Sequence, residues 1–142
     1  MKNNVANIHI AVEKYLPSVF RAKQAWILFK DPSDPELVYA ITSIGEDSNG
    51  VKFIRNYVRY PIWLGYTGKW IETKKVLVYN RDVKPDENDI EADIDFSTDI
   101  DNYVSETNVR TALYAPIMDK DDVVQGAIQL VNKVNDYETF RY

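Results

Sequence analysis

The last third of the chain sets the tightest limit on what it can fold into. Thr111–Met118 (TALYAPIM) and Val123–Lys133 (VVQGAIQLVNK) are long apolar runs joined by the charged turn MDKDD. Two such runs across a short polar connection close as an antiparallel hairpin. Side chains alternate along a strand, so Val124, Ile128 and Leu130 fall on one face and Gln125, Ala127, Gln129 and Val131 on the other. Two glutamines beside a small alanine are unlike a dry core. That face is either exposed to solvent or lines a polar cavity.

Upstream, Ala25–Lys30 (AWILFK) and Leu37–Ile44 (LVYAITSI) are β-rich runs, connected by DPSDPE, whose prolines and aspartates suit a turn. After the polar loop Gly45–Gly50, Val51–Tyr60 mixes apolar and basic residues as a half-exposed strand does. Gly65-Tyr66-Thr67-Gly68 is a tight glycine-flanked turn that opens a short helix through Thr73, and Val76–Tyr79 is a short strand. At the front, Val5, Ile8, Val12, Tyr15/Leu16 and Val19 recur every three or four residues, which predicts an amphipathic helix within residues 1–22. Pro17 lacks an amide proton and crowds the preceding turn, so a break is expected near Leu16. Hairpins with helices added give an α+β fold with an antiparallel sheet, in one domain over residues 1–142.

Net charge is −5, but Asp82–Glu106 alone carries ten acids against the single base Lys84, a local −9 that leaves the rest of the chain at +4. Apolar residues interrupt the acids throughout, so the stretch reads as an acidic, partly helical insertion over 82–108, with one candidate helix starting near Pro85. It is either a lid laid over the body or a solvated surface. The bases elsewhere are scattered and form no stripe that would track a phosphate backbone, which argues against nucleic acid as a partner. Uncharged stretches such as Tyr60–Gly68 and Ala25–Phe29 fall well short of the ~20 apolar residues of a membrane span. The N-terminal residues lack a secretory signal's apolar run. Zero cysteines exclude disulfides, thiolate metal sites and Cys nucleophiles, and fit a reducing, cytoplasmic setting.

Few motifs carry chemistry. Gly68-Lys69 fails as a phosphate loop, because the earlier glycine position is Trp63 and Trp70 stands where Ser or Thr is needed. Asp93-Ile94-Asp95 and Asp99-Ile100-Asp101 offer paired carboxylates to a hard cation. Counting a calcium-hand loop from Asp89, however, puts Ile94 at the glycine position and Ile100 at the closing glutamate. The only histidine, His9, lies on the N-terminal helix. With no nucleophile, base and orienter in view, the chain is expected not to be an enzyme and to hold no metal.

Three blocks, in order, resemble a GAF domain, a small-molecule sensor module of cyclic-nucleotide phosphodiesterases and nucleotide cyclases. Tyr60-Pro61-Ile62-Trp63-Leu64-Gly65-Tyr66-Thr67-Gly68 is similar to the family's proline and Gly-x-x-Gly turn. Ala115-Pro116-Ile117, a charged turn, and Val124–Lys133 resemble its paired last strands, and Asn132-Lys133 followed by Phe140 resembles the start of its asparagine–lysine–phenylalanine–aspartate signature. The resemblance implies a PAS-like, six-stranded antiparallel sheet with flanking helices and a ligand pocket between sheet and lid. It puts Tyr66 and Thr67 at the pocket edge and makes Asp95 and Thr98 of DFST, with Gln129, the candidate ligand contacts. Asn132, Lys133 and Phe140 become structural residues.

This sequence departs from the family at several points. It ends at Tyr142, before the signature aspartate and the family's C-terminal helix, and Asp99 stands where glycine follows the lid threonine. The resemblance therefore leaves two expectations. One is a non-catalytic regulatory domain that binds a small ligand, cAMP or cGMP above others, and no other cofactor. The other is a ligand-free scaffold that meets a protein partner, or a second copy of itself, through the N-terminal helix or an uncovered sheet face.

Overall fold

The computed structural model describes residues 2–97, 101, 108–135 and 138–140. Helix α1 spans Lys2–Phe20 and is followed by strands β1 (Ala22–Lys30), β2 (Leu37–Glu46) and β3 (Lys52–Pro61). Helix α2 (Gly65–Thr73) precedes β4 (Leu77–Asn80), a 3-10 turn at Ile90–Asp93, β5 (Thr111–Met118) and β6 (Val124–Lys133). The strands make one open sheet in the order β3-β2-β1-β6-β5-β4, and every neighbouring pair is antiparallel. The fold is α+β, with the first and last hairpins joined at the centre through β1 and β6.

The break expected at Leu16 does not occur. Helix α1 runs through Pro17 to Phe20, and Arg21 then turns the chain at a positive φ of 55°. Pro17 sits in the last turn, where it forfeits a single main-chain bond, and the apolar face that includes Val12 and Leu16 packs on the sheet to either side of that loss. Strand β1 also starts three residues earlier than its apolar run, because Ala22 and Gln24 pair with Lys133 and Val131 of β6. Pairing to a central neighbour overrides weak local preference here.

Two cores flank the sheet. Under α2, Trp26, Leu28, Val38, Ala40, Tyr60, Tyr66, Trp70, Leu77, Ala112, Tyr114, Ala127 and Val131 are buried together. Burying a large apolar side chain of this kind contributes about 1.5–3 kcal/mol. Around α1, Val12, Ala22, Ala25, Ile27, Leu130 and Phe140 form the second core, with Leu16, Leu113 and Ile128 at its margin. Val124 departs from the strict alternation expected of its strand and packs in the first core. Between Ile117/Gly126 and Met118/Val124 the register shifts, so that Gln125 is the extra residue on β6. This bulge turns Val124 to the face of Ala127 and Val131 and leaves Gln125 exposed, hydrogen-bonded to Asp119 at 3.0 Å.

Of the acidic stretch, residues 82–89 are irregular and exposed, so no helix starts near Pro85; the described helical geometry is the 3-10 turn and Asp101, whose amide bonds back to the Ser97 carbonyl. Aspartates and β-branched isoleucines are poor helix formers, and Asp82 and Asp86 are instead held by local side-chain caps from Asn80 and Asp89. Ile94 then turns into the α2-side core and Phe96 packs against it.

Candidate functional site

The residues singled out by sequence converge on the amino end of α2. Leu64 precedes the helix in an extended conformation and offers no side-chain cap. The orphan amides of the first turn therefore need an acceptor from elsewhere. Asp101 supplies it. Its carboxylate accepts hydrogen bonds from the Tyr66 amide (3.1 Å), the Thr67 amide (2.9 Å), the Thr67 hydroxyl (2.6 Å) and the Ser97 amide (2.9 Å). A helix amino terminus favours negative charge, and three of these donors belong to it.

Both glycines of the turn are there for space. Gly65 has a φ of +59°, and a Cβ on it would meet Asp101 Oδ2 at 2.5 Å. A Cβ on Gly68 would meet the Ile62 carbonyl oxygen at 2.5 Å. The glycine-flanked pattern thus lets a carboxylate and a strand-end carbonyl close in on α2.

Beneath this turn lies a polar and aromatic interior. Thr67 and Trp70 are completely buried, and the Thr67 carbonyl accepts from both the Trp70 indole (2.6 Å) and the Tyr60 hydroxyl (3.1 Å). The Tyr66 ring stands 5.0 Å from Tyr79, 6.0 Å from Tyr114 and 6.4 Å from Phe96, and Phe96 stacks on Tyr79 at 4.2 Å. Burial pushes the hydroxyls of Tyr60, Tyr66 and Tyr114 well above the usual tyrosine range, with the Asp101 charge adding to each. Burial also raises the Asp101 carboxyl, against its hydrogen bonds, which favour the charged form.

Gln129 is fully buried in this interior. It lies in one cross-strand row with Trp26, Tyr114 and Leu77, and its Nε2 donates to the Tyr114 hydroxyl at 3.2 Å. Its Oε1 has no partner among the described residues, nor has the neighbouring Trp26 Nε1. The structure thus brings Tyr66, Thr67 and Gln129 together through Tyr114. Asp95 is exposed on the acidic segment between the inward-facing Ile94 and Phe96, and Thr98 lies outside the described residues. Asp101, considered from sequence only as half of a cation-binding pair, spends its oxygens on α2 instead. Its stretch offered nine other acids of the same kind, and no sequence signal separates it from them.

The three signature residues tie the sheet to its ends. Asn132 takes a positive φ of 55° and accepts from the Arg110 and Thr111 amides at 2.6 and 3.1 Å while donating to the Asn108 carbonyl. Lys133 Nζ donates to the Phe20 carbonyl at the end of α1 (2.9 Å) and lies 5.1 Å from the centre of the buried Phe140 ring. His9 is buried on α1, its ring 5.8 Å from Trp26, and burial depresses its pKa.

A groove of about 840 Å³ runs between α1 and the β5–β6 face, lined by Leu16, Phe20, Leu113, Ile128, Leu130 and Phe140 among others. Two smaller depressions lie beside Tyr39 and Tyr57, and beside Val78 and Val83. None of the three borders Tyr66, Thr67, Asp95 or Gln129. Among the described residues no helix is long and apolar enough to cross a membrane. No protein-family model matches the chain, and no curated protein matches it.

Proposed function

We propose that the chain is a non-catalytic, cytoplasmic regulatory module of the GAF type that works through protein contact, its partner being a second copy of itself. One contrast carries this reading. The α2 side of the sheet is packed with aromatic rings and capped by its own carboxylate, while the α1 side keeps a large apolar groove. Beside that groove the outward face of α1 presents Ile8, Tyr15 (59% exposed) and Val19 (67% exposed), with Phe20 at the groove's edge. The spacings of seven and four continue one apolar stripe along a helix whose other side is already buried. A stripe beside a groove suits the symmetric, self-complementary contact of a two-fold dimer. The six-stranded antiparallel sheet with flanking helices supports the GAF likeness. The burial of the only histidine on α1 supports a non-catalytic role.

Sedimentation equilibrium tests the reading. The chain is expected to run as a dimer, and Tyr15→Asp combined with Val19→Asp to give a folded monomer. A wild-type chain that stays monomeric at hundreds of micromolar overturns it.

A second reading rests on Gln129. The buried Gln129 amide oxygen, without a donor among the described residues, is an acceptor that suits a small polar ligand, and a carboxylate on the α2 amides marks a place that takes an anion. A cyclic nucleotide in that place would have to displace Asp101. Thermal unfolding with cAMP or cGMP measures this. Saturation at a hundred times Kd stabilises by about 2.7 kcal/mol, and an unchanged melting temperature refutes it.

A further inference from the structure

We infer that Asp101 is a releasable latch: its carboxylate, seated on the first turn of α2, pins the acidic segment Ile90–Ser97 over the Tyr66–Tyr79–Tyr114 cluster. Residues 81–90 are all exposed, and within 91–97 only Glu91 and Ile94 are buried, with Phe96 stacked on Tyr79. Asp101 is fastened to the end of that segment in both directions. Its amide donates to the Ser97 carbonyl at 2.7 Å, and the Ser97 amide donates to its carboxylate. Whatever holds the carboxylate therefore holds Ser97, and through it Phe96 and Ile94.

The receiving side is shaped for the carboxylate. Gly65 has no Cβ where the oxygens lie, and Thr67 turns its hydroxyl and its amide to the same oxygen. The sheet ladders do not run through Asp101, so they do not depend on it. Exposed segments outside the sheet ladders open at a lower cost than a domain's strands do, and such an opening here would uncover Tyr66 and Tyr79. The latch is independent of which partner the module meets.

Amide hydrogen exchange resolved by residue tests it, on the full chain. With Asp101→Ala, the Tyr66 and Thr67 amides and those of Ile90–Ser97 are expected to exchange on the order of 10- to 100-fold faster, as charged hydrogen bonds are lost. The central amides of β1 and β6 keep their wild-type rates. Thr67→Val, which removes one donor from the carboxylate, gives the same pattern at about a tenth of the effect. Asp101→Asn, of the same shape but neutral, falls between the two. Exchange that rises uniformly across the sheet in the variants that fold overturns the latch, because Asp101 is then one more part of the global core. Unchanged exchange in Ile90–Ser97 overturns it too, because Ile94 and Phe96 then hold the segment alone.

Discussion

Replacing Gly65 with alanine strikes two things at once, and the structure separates their sizes. At φ +59° an L-residue is in the left-handed region, which costs roughly 1–2 kcal/mol. The new methyl would also stand 2.5 and 2.6 Å from the two Asp101 oxygens and 2.8 Å from their carbon, so the carboxylate must back away by nearly an ångström. Its bonds to the Tyr66 and Thr67 amides and the Thr67 hydroxyl, now 2.6–3.1 Å, cannot survive that shift together. Losing one charged hydrogen bond costs about 1.5–3 kcal/mol. The sum is about 3–5 kcal/mol, on the order of 10–15 °C in Tm for a chain of this length. In an Asp101→Ala background the collision is gone, and Gly65→Ala should cost only the backbone part. Urea unfolding of the four proteins closes a double-mutant cycle with an expected coupling of about 2 kcal/mol. Equal costs in the two backgrounds would refute the reasoning, since the glycine would then serve the backbone alone.

Three further outcomes follow from other sites. His9 is buried and its pKa is depressed below 6.5, so the unfolded chain binds the extra proton first. Its contribution is full above pH 6.5 and is lost as pH falls toward the folded value, at up to about 1.4 kcal/mol per pH unit. In paired chemical-denaturation series from pH 7.5 to 5, His9→Asn should flatten that slope. Gln129→Leu forfeits one hydrogen bond to Tyr114 but also removes an unpartnered oxygen, so its stability should stay within about 1 kcal/mol of wild type in urea titration. Lys74 ends α2 at φ 53°, its amide bonded to the Trp70 carbonyl, and Lys74→Gly should raise stability by about 0.5–1 kcal/mol in calorimetry.

How much of this could be read beforehand differs from element to element. The last hairpin, the short helix after Gly65 and the strand after Gly50 are strong local patterns, and neighbours only adjusted their ends. The bulge at Gln125 left no trace in the residue types, yet it decides which core Val124 enters. Pro17 carried a clear local signal that tertiary packing of α1 outweighed. At the candidate site, Tyr66 and Thr67 were legible because glycines frame them. Gln129 was legible because a glutamine among Ala and Val breaks the pattern of a buried strand. Asp101 was not, since its role depends on a partner thirty-four residues away in sequence, and composition treats it like every other acid in its stretch.

The sheet is open, so among the described residues β3 and β4 are its two edge strands. Along β3 stand Lys52, Arg55 and Arg59, with no acid between them and Pro61 at the end. Lys52 is paired with Glu46 and Arg59 with Asp31, so the exposed Arg55 is the charge that two molecules meeting along this border would set against its own copy, and the proline would deny them the last rung of the ladder. Such a border disfavours endless sheet extension from β3.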